Sequence, residues 1–522
     1  MSKKKNFILL FLLVVFSVYC ALSVGETWDQ KDNLLRGKIT LDYFFSIGKI
    51  DNYILLRENY STIYWSFVYL ITKIFHSQYQ IEITNLVNLF FSICAICGIN
   101  KLCKELFNDK IGKITFIILF FYPIFFGHMA FNTKDVILAF GHIWIIYLLI
   151  RYLKKQNIED KRTKYVYYLA FLASLTTGIQ LVFLGSLIPI FLFVLFEIFL
   201  FKKIINKFFD KKKLLYDLIK CFILFYFLLV LFWIDSHPNI FVLPYQFIME
   251  TFTATYWTGW PYNLINGQYY LSNEVPKSYI LISLFYKSPE YFLILYLFFL
   301  IFYFGSRKFY IKNFNFFNYK IFFVIFILIF PNLILFVIPY PVYDGMRLFL
   351  WSLPYFCIIP ALTIFYLLKN INFLWSKIYS TIIIFFCIFF LYNFFSIAPY
   401  QYTYLNILNG SVEERFQKFE NDYWGASIKE LIQNTNFDNK KTIKFATCGL
   451  NYNISKNYLK KRGLTKIQFV SPGQADYIIM TNRTLFDKKA DKISNCFNIF
   501  PGANIYEVKR NGLLLSTIRQ IN

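Results

Sequence analysis

The chain has 522 residues, 57% of them hydrophobic, and a mean hydropathy of +0.47; a soluble fold has too little interior to hide that much apolar surface. Runs of about 20 apolar residues recur, the length of a bilayer-crossing helix, and the weak alternating segments of a transmembrane barrel are absent. The net charge of +24 does not point to nucleic acid: Phe, Ile, Lys and Asn are abundant together, and many lysines sit in short inter-span loops, as the positive-inside rule requires.

The expected class is a polytopic α-helical membrane protein. Lys3, Lys4 and Lys5 precede an apolar run from Phe7 to about Val24. This reads as an uncleaved first span rather than a signal peptide, although Ala21-Leu22-Ser23 is a passable cleavage site. Apolar length gives about eleven spans in all, at 6–25, 82–100, 112–127, 134–153, 165–180, 182–201, 217–234, 288–305, 319–339, 347–368 and 376–397. Only a weak break, Thr176 to Gln180, separates the fifth from the sixth. Thr62 to Phe75 is apolar but short, and is expected on or in the membrane surface.

With the N-terminus in the cytoplasm, the inner loops are 101–111, 154–164, 202–216, 306–318 and 369–375. Lys101, Lys104, Lys154, Lys155, Lys211, Lys212, Lys213 and Arg307 fall in or beside them, in line with the charge rule. The outer segments are then 26–81, 128–133, the turn near Gly178, 235–287, 340–346 and the tail from 398.

The tail loses the membrane composition. Lys441–Gly449, Lys466–Ser471, Ala475–Asn482 and Asn504–Arg510 read as strands, and Trp424–Asn434 and Ile454–Gly463 as helices, with Gly463 a stop. The division is a membrane domain over 1–397 and a small extracytoplasmic α/β domain over 398–522. Cys448 and Cys496 lie in this tail, where an outside location permits a disulfide. Cys94 and Cys97 have C-x-x-C spacing inside an apolar helix and read as core residues.

The chemistry concentrates in the outer segments. Glu26, Trp28, Asp29, Gln30, Lys31, Asp32 and Arg36 follow the first span, and His128, Asn132, Lys134 and Asp135 crowd one turn. Ionisable residues near the bilayer core cost roughly 2.5–3.5 kcal/mol on insertion scales, so they mark pathways or sites. The loop 235–287 adds Asp235, His237, Trp257, Trp260, Tyr262, Tyr269, Tyr270 and Lys287; the turn 340–346 leads from Asp344 to Arg347. Carboxylates supply a base, Lys and Arg hold phosphate, and aromatics give faces for sugar rings. Each also has a plain reading: the aromatics as an interfacial belt, Arg347 as a snorkelling side chain, Asp135 as a helix N-terminal charge.

These residues resemble a known family. The layout is similar to the GT-C fold of polyprenyl-phosphate-sugar-dependent glycosyltransferases. More narrowly it resembles glycosyltransferase family 39, the protein O-mannosyltransferase and aminoarabinose-transferase group. Members carry an acid pair after the first span; here that position reads Asp29-Gln30, with Asp32 or Glu26 as substitutes for the second acid. The string Phe126–Asp135 resembles the H-x-x-F-N-x-K-D pattern of a bacterial branch, as do Tyr343–Pro354, Pro399–Gly410 and Glu420–Leu431.

The resemblance implies an inverting sugar transfer at the outer face of a bacterial plasma membrane. The donor is a sugar on a polyprenyl phosphate, and the acceptor is a lipid, glycan or protein. Asp29 is the expected base, with Asp135 and Asp32 as further catalytic candidates. Lys134, Arg347 and Arg36 are the candidates for the donor phosphate, and His128, Asn132, Trp257, Trp260, Tyr262 and Asp344 for sugar or acceptor. No metal cage is visible and several relatives need none, so no cofactor is expected to be obligatory. The rival is a transporter or flippase for a glycolipid or anionic substrate. It predicts charges buried mid-span or broken helices in two related halves, whereas the acids here cluster at span ends.

Overall fold

The computed structural model describes residues 3–48, 60–252, 259–338, 340–437 and 442–521. It is a helical bundle capped at one end by a mixed β-sheet. Among the described residues, five helices are long and apolar enough to cross a membrane: Ser77–Leu106, Asp135–Lys155, Lys211–Leu231, Phe317–Val337 and Leu374–Ser396. The helices Tyr279–Lys287 and Glu290–Gly305 are apolar enough only when taken together, and they are bent by 115° where Ser288-Pro289 interrupts the backbone ladder, the form of a broken span or a re-entrant loop. Ile8–Ser23, Ile188–Phe201 and Leu353–Lys369 are shorter apolar helices. The chain is an integral membrane protein with several apolar spans.

Among the described residues the full-length apolar helices are thus fewer than the expected eleven spans, and the reason is local. The run 112–127 divides into Asp109–Phe120 and Pro123–His128, with Pro at the first helical position of the second piece. The run 182–201 divides at Leu187, before Pro189, and 347–368 into a 3-10 turn and the helices Leu353–Phe356 and Ile358–Lys369. The stretch 165–180 belongs to Glu159–Ile179, whose first turns are charged. Apolar length alone does not register such turns.

Helix Asp135–Lys155 is central, 72% of its apolar window being buried; Lys211–Leu231 and Leu374–Ser396, at 11% and 17%, present apolar side chains outward, as lipid-facing helices do. Ile63–Lys73, the short apolar stretch, buries Tyr64, Trp65, Val68 and Tyr69 against its neighbours. It crosses Gln30–Phe45 at Gly37, where a Cβ would lie 2.3 Å from the Trp65 carbonyl oxygen.

The connecting segments sort into two ends. At one, Arg151 and Lys154 reach Glu105 at 2.5 and 3.0 Å, Asn206 N donates to Leu153 O, and Gln156 Nε2 to Asp210 O. These are the basic loops assigned inside. At the other, Ser61 N donates to Gly178 O, Thr62 N to Phe232 O, Val342 N to Ser272 O, Asn406 N to Tyr286 O and Gly25 N to Ala426 O. Ser61, Gly178, Ser272, Tyr286, Val342, Asn406 and Ala426 lie in segments with the opposite assignment, and Gly25 and Phe232 lie at the ends of assigned spans.

The tail sheet runs in the order Ile467–Phe469, Ile443–Cys448, Tyr477–Thr481, Leu513–Gln520, Ala503–Arg510. The first two pairings are parallel and the last two antiparallel. Helices Ile428–Asn434 and Tyr452–Lys461 pack on it, and Gly463, at φ +91°, follows the second. Two hairpins escaped the sequence reading: Thr484–Asp487 with Lys492–Asn495, and the return strand Leu513–Gln520. The latter turns on Asn511 and Gly512, both with positive φ, the signature of a two-residue hairpin. Cys448 and Cys496 are joined in a disulfide.

Candidate active site

Asp29 and Lys134 meet at 3.4 Å, Oδ2 to Nζ, with side chains 27% and 16% exposed. Asp29 is the N-cap of Gln30–Phe45 but its carboxylate caps no backbone N–H, the usual role of an N-cap acid. It turns instead toward the lysine. Desolvation pushes the Asp29 carboxyl up, but Lys134, Arg347 and Arg36 outweigh it and hold the group below the ordinary carboxylate value.

The turn that carries Lys134 is built by Asn132. Its Oδ1 accepts from Lys134 N and Asp135 N at 3.1 and 2.9 Å, and its Nδ2 donates to Asp135 Oδ2 at 2.9 Å, an Asx-type turn opening a helix. Asn33, one helical turn beyond Asp29, donates to Thr133 Oγ1 at 2.9 Å, and Trp65 Nε1 donates to Thr133 O. These bonds fix the turn against the helix bearing Asp29. Lys134 Nζ lies 4.7 Å from the Tyr60 ring centroid and Arg36 5.2 Å from the same ring, with Trp65 beside both. Two cations and one carboxylate therefore form a partly exposed cluster against two aromatic rings.

Behind it runs a sealed chain of ion pairs. Arg347 Nε lies 3.1 Å from Asp135 Oδ2, and its Nη1 lies 2.6 Å from Asp344 Oδ2. Arg483 Nη2 contacts Asp344 Oδ1 at 3.0 Å, and Trp424 Nε1 donates to Asp344 Oδ2. Asp344 adopts φ +59° and Gly345 φ +61°, a left-handed corner that Asp and Gly tolerate. The Arg347 guanidinium lies over Trp424 and Tyr343, and that of Arg483 over Trp260 and Trp28, at 4.8, 5.2, 4.2 and 5.0 Å. Beyond Asp344, Lys287 and Glu420 line a small polar pocket with Tyr279, Ser283 and Asn263. Burial pushes the Glu420 carboxyl up to about 7, against the pull of Arg483.

The expected residues thus fall into groups. Asp29, Lys134 and Arg36 form the partly exposed cluster. Asp135, Arg347 and Asp344 form the sealed layer, which changes the reading of two: Asp344 is 1% exposed and clamps two arginines rather than facing a cavity, and Arg347 is committed to two carboxylates. His128 and Asn132 are fully buried, with His128 Nε2 2.8 Å from the Tyr423 hydroxyl, so they position the turn.

Trp260 belongs to the arginine stack, whereas Tyr262 opens the strand Tyr262–Ile265, which pairs with Gln268–Leu271. Asp32 is exposed on Gln30–Phe45. Gln30 is buried against Asn85, and Glu26 accepts from Asn457 Nδ2, so neither stands beside Asp29 as a second acid. Trp257 lies outside the described residues.

The sequence reading missed Arg483, Trp424, Tyr60 and Asn33 as site residues. Arg483 sits in an Asn-Arg-Thr sequon in the tail, and its Asn482 is fully buried, donating to Phe416 O and Phe419 O.

No protein-family model and no curated protein sequence matches the chain. Among solved structures, the apo crystal structure of ArnT from Cupriavidus metallidurans matches with a TM-score of 0.51 at 12% identity, covering 99% of this chain and 98% of that one. The fold is GT-C-like. ArnT bound to undecaprenyl phosphate matches at 0.47 with 11% identity over 99% and 98% of the two chains. The apo oligosaccharyltransferase of Archaeoglobus fulgidus matches at 0.47 with 12% identity, over 91% of this chain and 66% of its own. The GT-C-like scaffold here carries the sheet domain against the end of the bundle where Asp29 and Asp135 lie.

Proposed function

We propose that this protein is an integral-membrane glycosyltransferase that moves a sugar from a polyprenyl phosphate to a lipid, glycan or protein acceptor on the outer face of the membrane. The observation that carries this reading is the partly exposed Asp29–Lys134 pair, set on a fold like that of ArnT.

Asp29 takes the proton of the acceptor nucleophile as that atom attacks the anomeric carbon. The C–O bond to phosphate breaks on the opposite face, so the anomeric configuration inverts. Lys134 and Arg36 receive the phosphate oxygens as negative charge grows on them. Asp135 holds Arg347 in place behind the cluster, and that guanidinium adds its field to the same phosphate. Tyr60 and Trp65 wall the cations and exclude water. This geometry favours Lys134 and Arg36 over Arg347 as direct phosphate ligands, because Arg347 already faces Asp135 and Asp344.

The test is transfer of radiolabelled sugar from a panel of polyprenyl-phosphate sugars to membrane acceptors by the purified protein. Label should move into an acceptor fraction with loss of donor. Absence of transfer across the panel, by protein that binds polyprenyl phosphate, argues against the enzyme reading.

A further inference from the structure

Asp29 ends a short segment that the C-terminal domain grips at several successive points. Residues 24–29 link the first helix, Lys3–Ser23, to Gln30–Phe45. Lys429 Nζ donates to Leu22 O at 2.9 Å, and Gly25 N donates to Ala426 O at 3.2 Å. A Cβ on Gly25 would lie 2.8 Å from Lys429 Cβ and 3.2 Å from Ala426 O, so this close approach calls for glycine. Glu26 N donates to the Tyr458 hydroxyl, and Glu26 Oε2 accepts from Asn457 Nδ2. Trp28, half-buried, ends the series: its ring centroid lies 5.0 Å from the Arg483 guanidinium and 5.5 Å from the Trp260 ring, edge to face. Arg483 is itself fixed. It donates to Tyr423 O, pairs with Asp344 at 3.0 Å and lies over Trp260, whose Nε1 donates to Thr484 O.

We propose that Trp28 is a positioning residue for Asp29, and that the C-terminal domain, through Arg483, sets where that carboxylate stands. This rests on the reading of Asp29 as the base and adds what holds it. The Asp29 side chain caps no backbone N–H, so the turn it shares with Trp28 decides its direction. The helix beyond is located by other contacts: Asn33 donates to Thr133 Oγ1, and Gly37 crosses the Trp65 carbonyl. Lys134 is held in turn by Asn132. Loosening Trp28 therefore moves the carboxylate and leaves the two cations in place. A displacement of about 1 Å from a reactive geometry costs up to about 10²-fold in rate.

The test separates turnover from donor binding in the purified full-length protein in nanodiscs. Turnover is labelled-sugar transfer at saturating donor, and binding is read with undecaprenyl phosphate without sugar. Trp28→Ala should lower turnover by about 10–100-fold and change the affinity for undecaprenyl phosphate less than about twofold. Trp28→Phe keeps a ring under the guanidinium and should recover most of the turnover. Gly25→Ala puts one methyl between the segment and the tail, touching no ring and no charge, and should lower turnover with binding kept. In an Asp29→Asn background, Trp28→Ala should change the residual turnover less than about twofold, because the group it positions no longer acts.

Full turnover by Trp28→Ala overturns the proposal. Parallel loss of turnover and donor binding also overturns it, since Trp28 then supports the fold as a whole. An equal loss in Trp28→Phe does so as well, because the guanidinium stack is then not what holds the turn. A further loss of about tenfold or more in the Asp29→Asn background shows that Trp28 acts through another group, and the proposal fails. Full turnover by Asp29→Asn alone overturns the base assignment itself, and the positioning with it.

Discussion

Arg483 and Asp344 stand 139 residues apart in the chain and 3.0 Å apart in space, Nη2 to Oδ1, with side chains 4% and 0% exposed. One comes from the tail, the other from a turn between membrane helices. The pair continues through Arg347 to Asp135, so the sheet domain is wired to the residues beside the cluster. The sheet domain thus supplies the last cation of the ion-pair chain.

Arg483→Met should therefore act on both parts. Removing one partner of a buried pair leaves the other charge uncompensated and costs roughly 3–5 kcal/mol. Thermal unfolding in detergent should show a lowered Tm, and sugar transfer should fall with it. Deleting the chain after Thr442 should have the larger effect, because it also removes Thr484, whose carbonyl accepts from Trp260 Nε1.

Arg347 and Arg36 should separate in their effects. Arg347 bridges two carboxylates, so Arg347→Ala should destabilise by roughly 3–5 kcal/mol as well as slow transfer. Arg36 is half-buried over Tyr60 and bonds Asn33 within its own helix. Arg36→Ala should leave Tm within a few degrees and raise the donor KM. Equal loss of stability in both variants would show that Arg36 too is structural.

The disulfide lies beside the arginine strut. Cys496 N donates to Arg483 O at 3.0 Å, and the Cys448–Cys496 bond closes a separation of 48 residues. Cys448→Ser with Cys496→Ser should cost roughly 2–4 kcal/mol, read as a lower Tm. Reductant should lower the Tm of the unaltered protein and leave that of the double variant unchanged.

Glu420 should give a pH signature. It is 5% exposed, and burial lifts its carboxyl from the ordinary 4.5 to about 7. A raised folded-state value means that the folded protein keeps the proton longer than the unfolded chain does. Stability is therefore full below pH 4.5, falls as pH rises to about 7, and is level above that. The loss is about 3 kcal/mol. Glu420→Gln should flatten this part of the Tm–pH curve and exceed the unaltered protein above pH 7. Parallel curves would place the carboxyl in its ordinary range.

The sequence makes parts of this legible for physical reasons. Asp29, Lys134, Asp135 and Arg347 stand out because charge at the end of an apolar run has few innocent uses, and the basic loops sort the segments that meet. Asp344 is visible as a charge but not as a clamp, since its partner Arg483 lies in a soluble-looking tail where no local pattern names a distant contact. The breaks at Pro123, Leu187 and Leu350–Leu353 escape hydropathy because the residues there stay apolar while the backbone turns. The return strand Leu513–Gln520 was within reach: Asn511-Gly512 is a strong hairpin signal.

The central claim is that Asp29 is the general base, and the direct measurement is the rate of labelled-sugar transfer at saturating donor by purified Asp29→Asn. The substitution keeps the shape and removes the basicity, so turnover should fall by about 10²–10⁴-fold, while Tm stays near that of the unaltered protein and undecaprenyl phosphate still binds. Asp32→Asn, at an exposed position, should retain nearly full turnover. Full turnover by Asp29→Asn would contradict the claim and leave the cluster without its base.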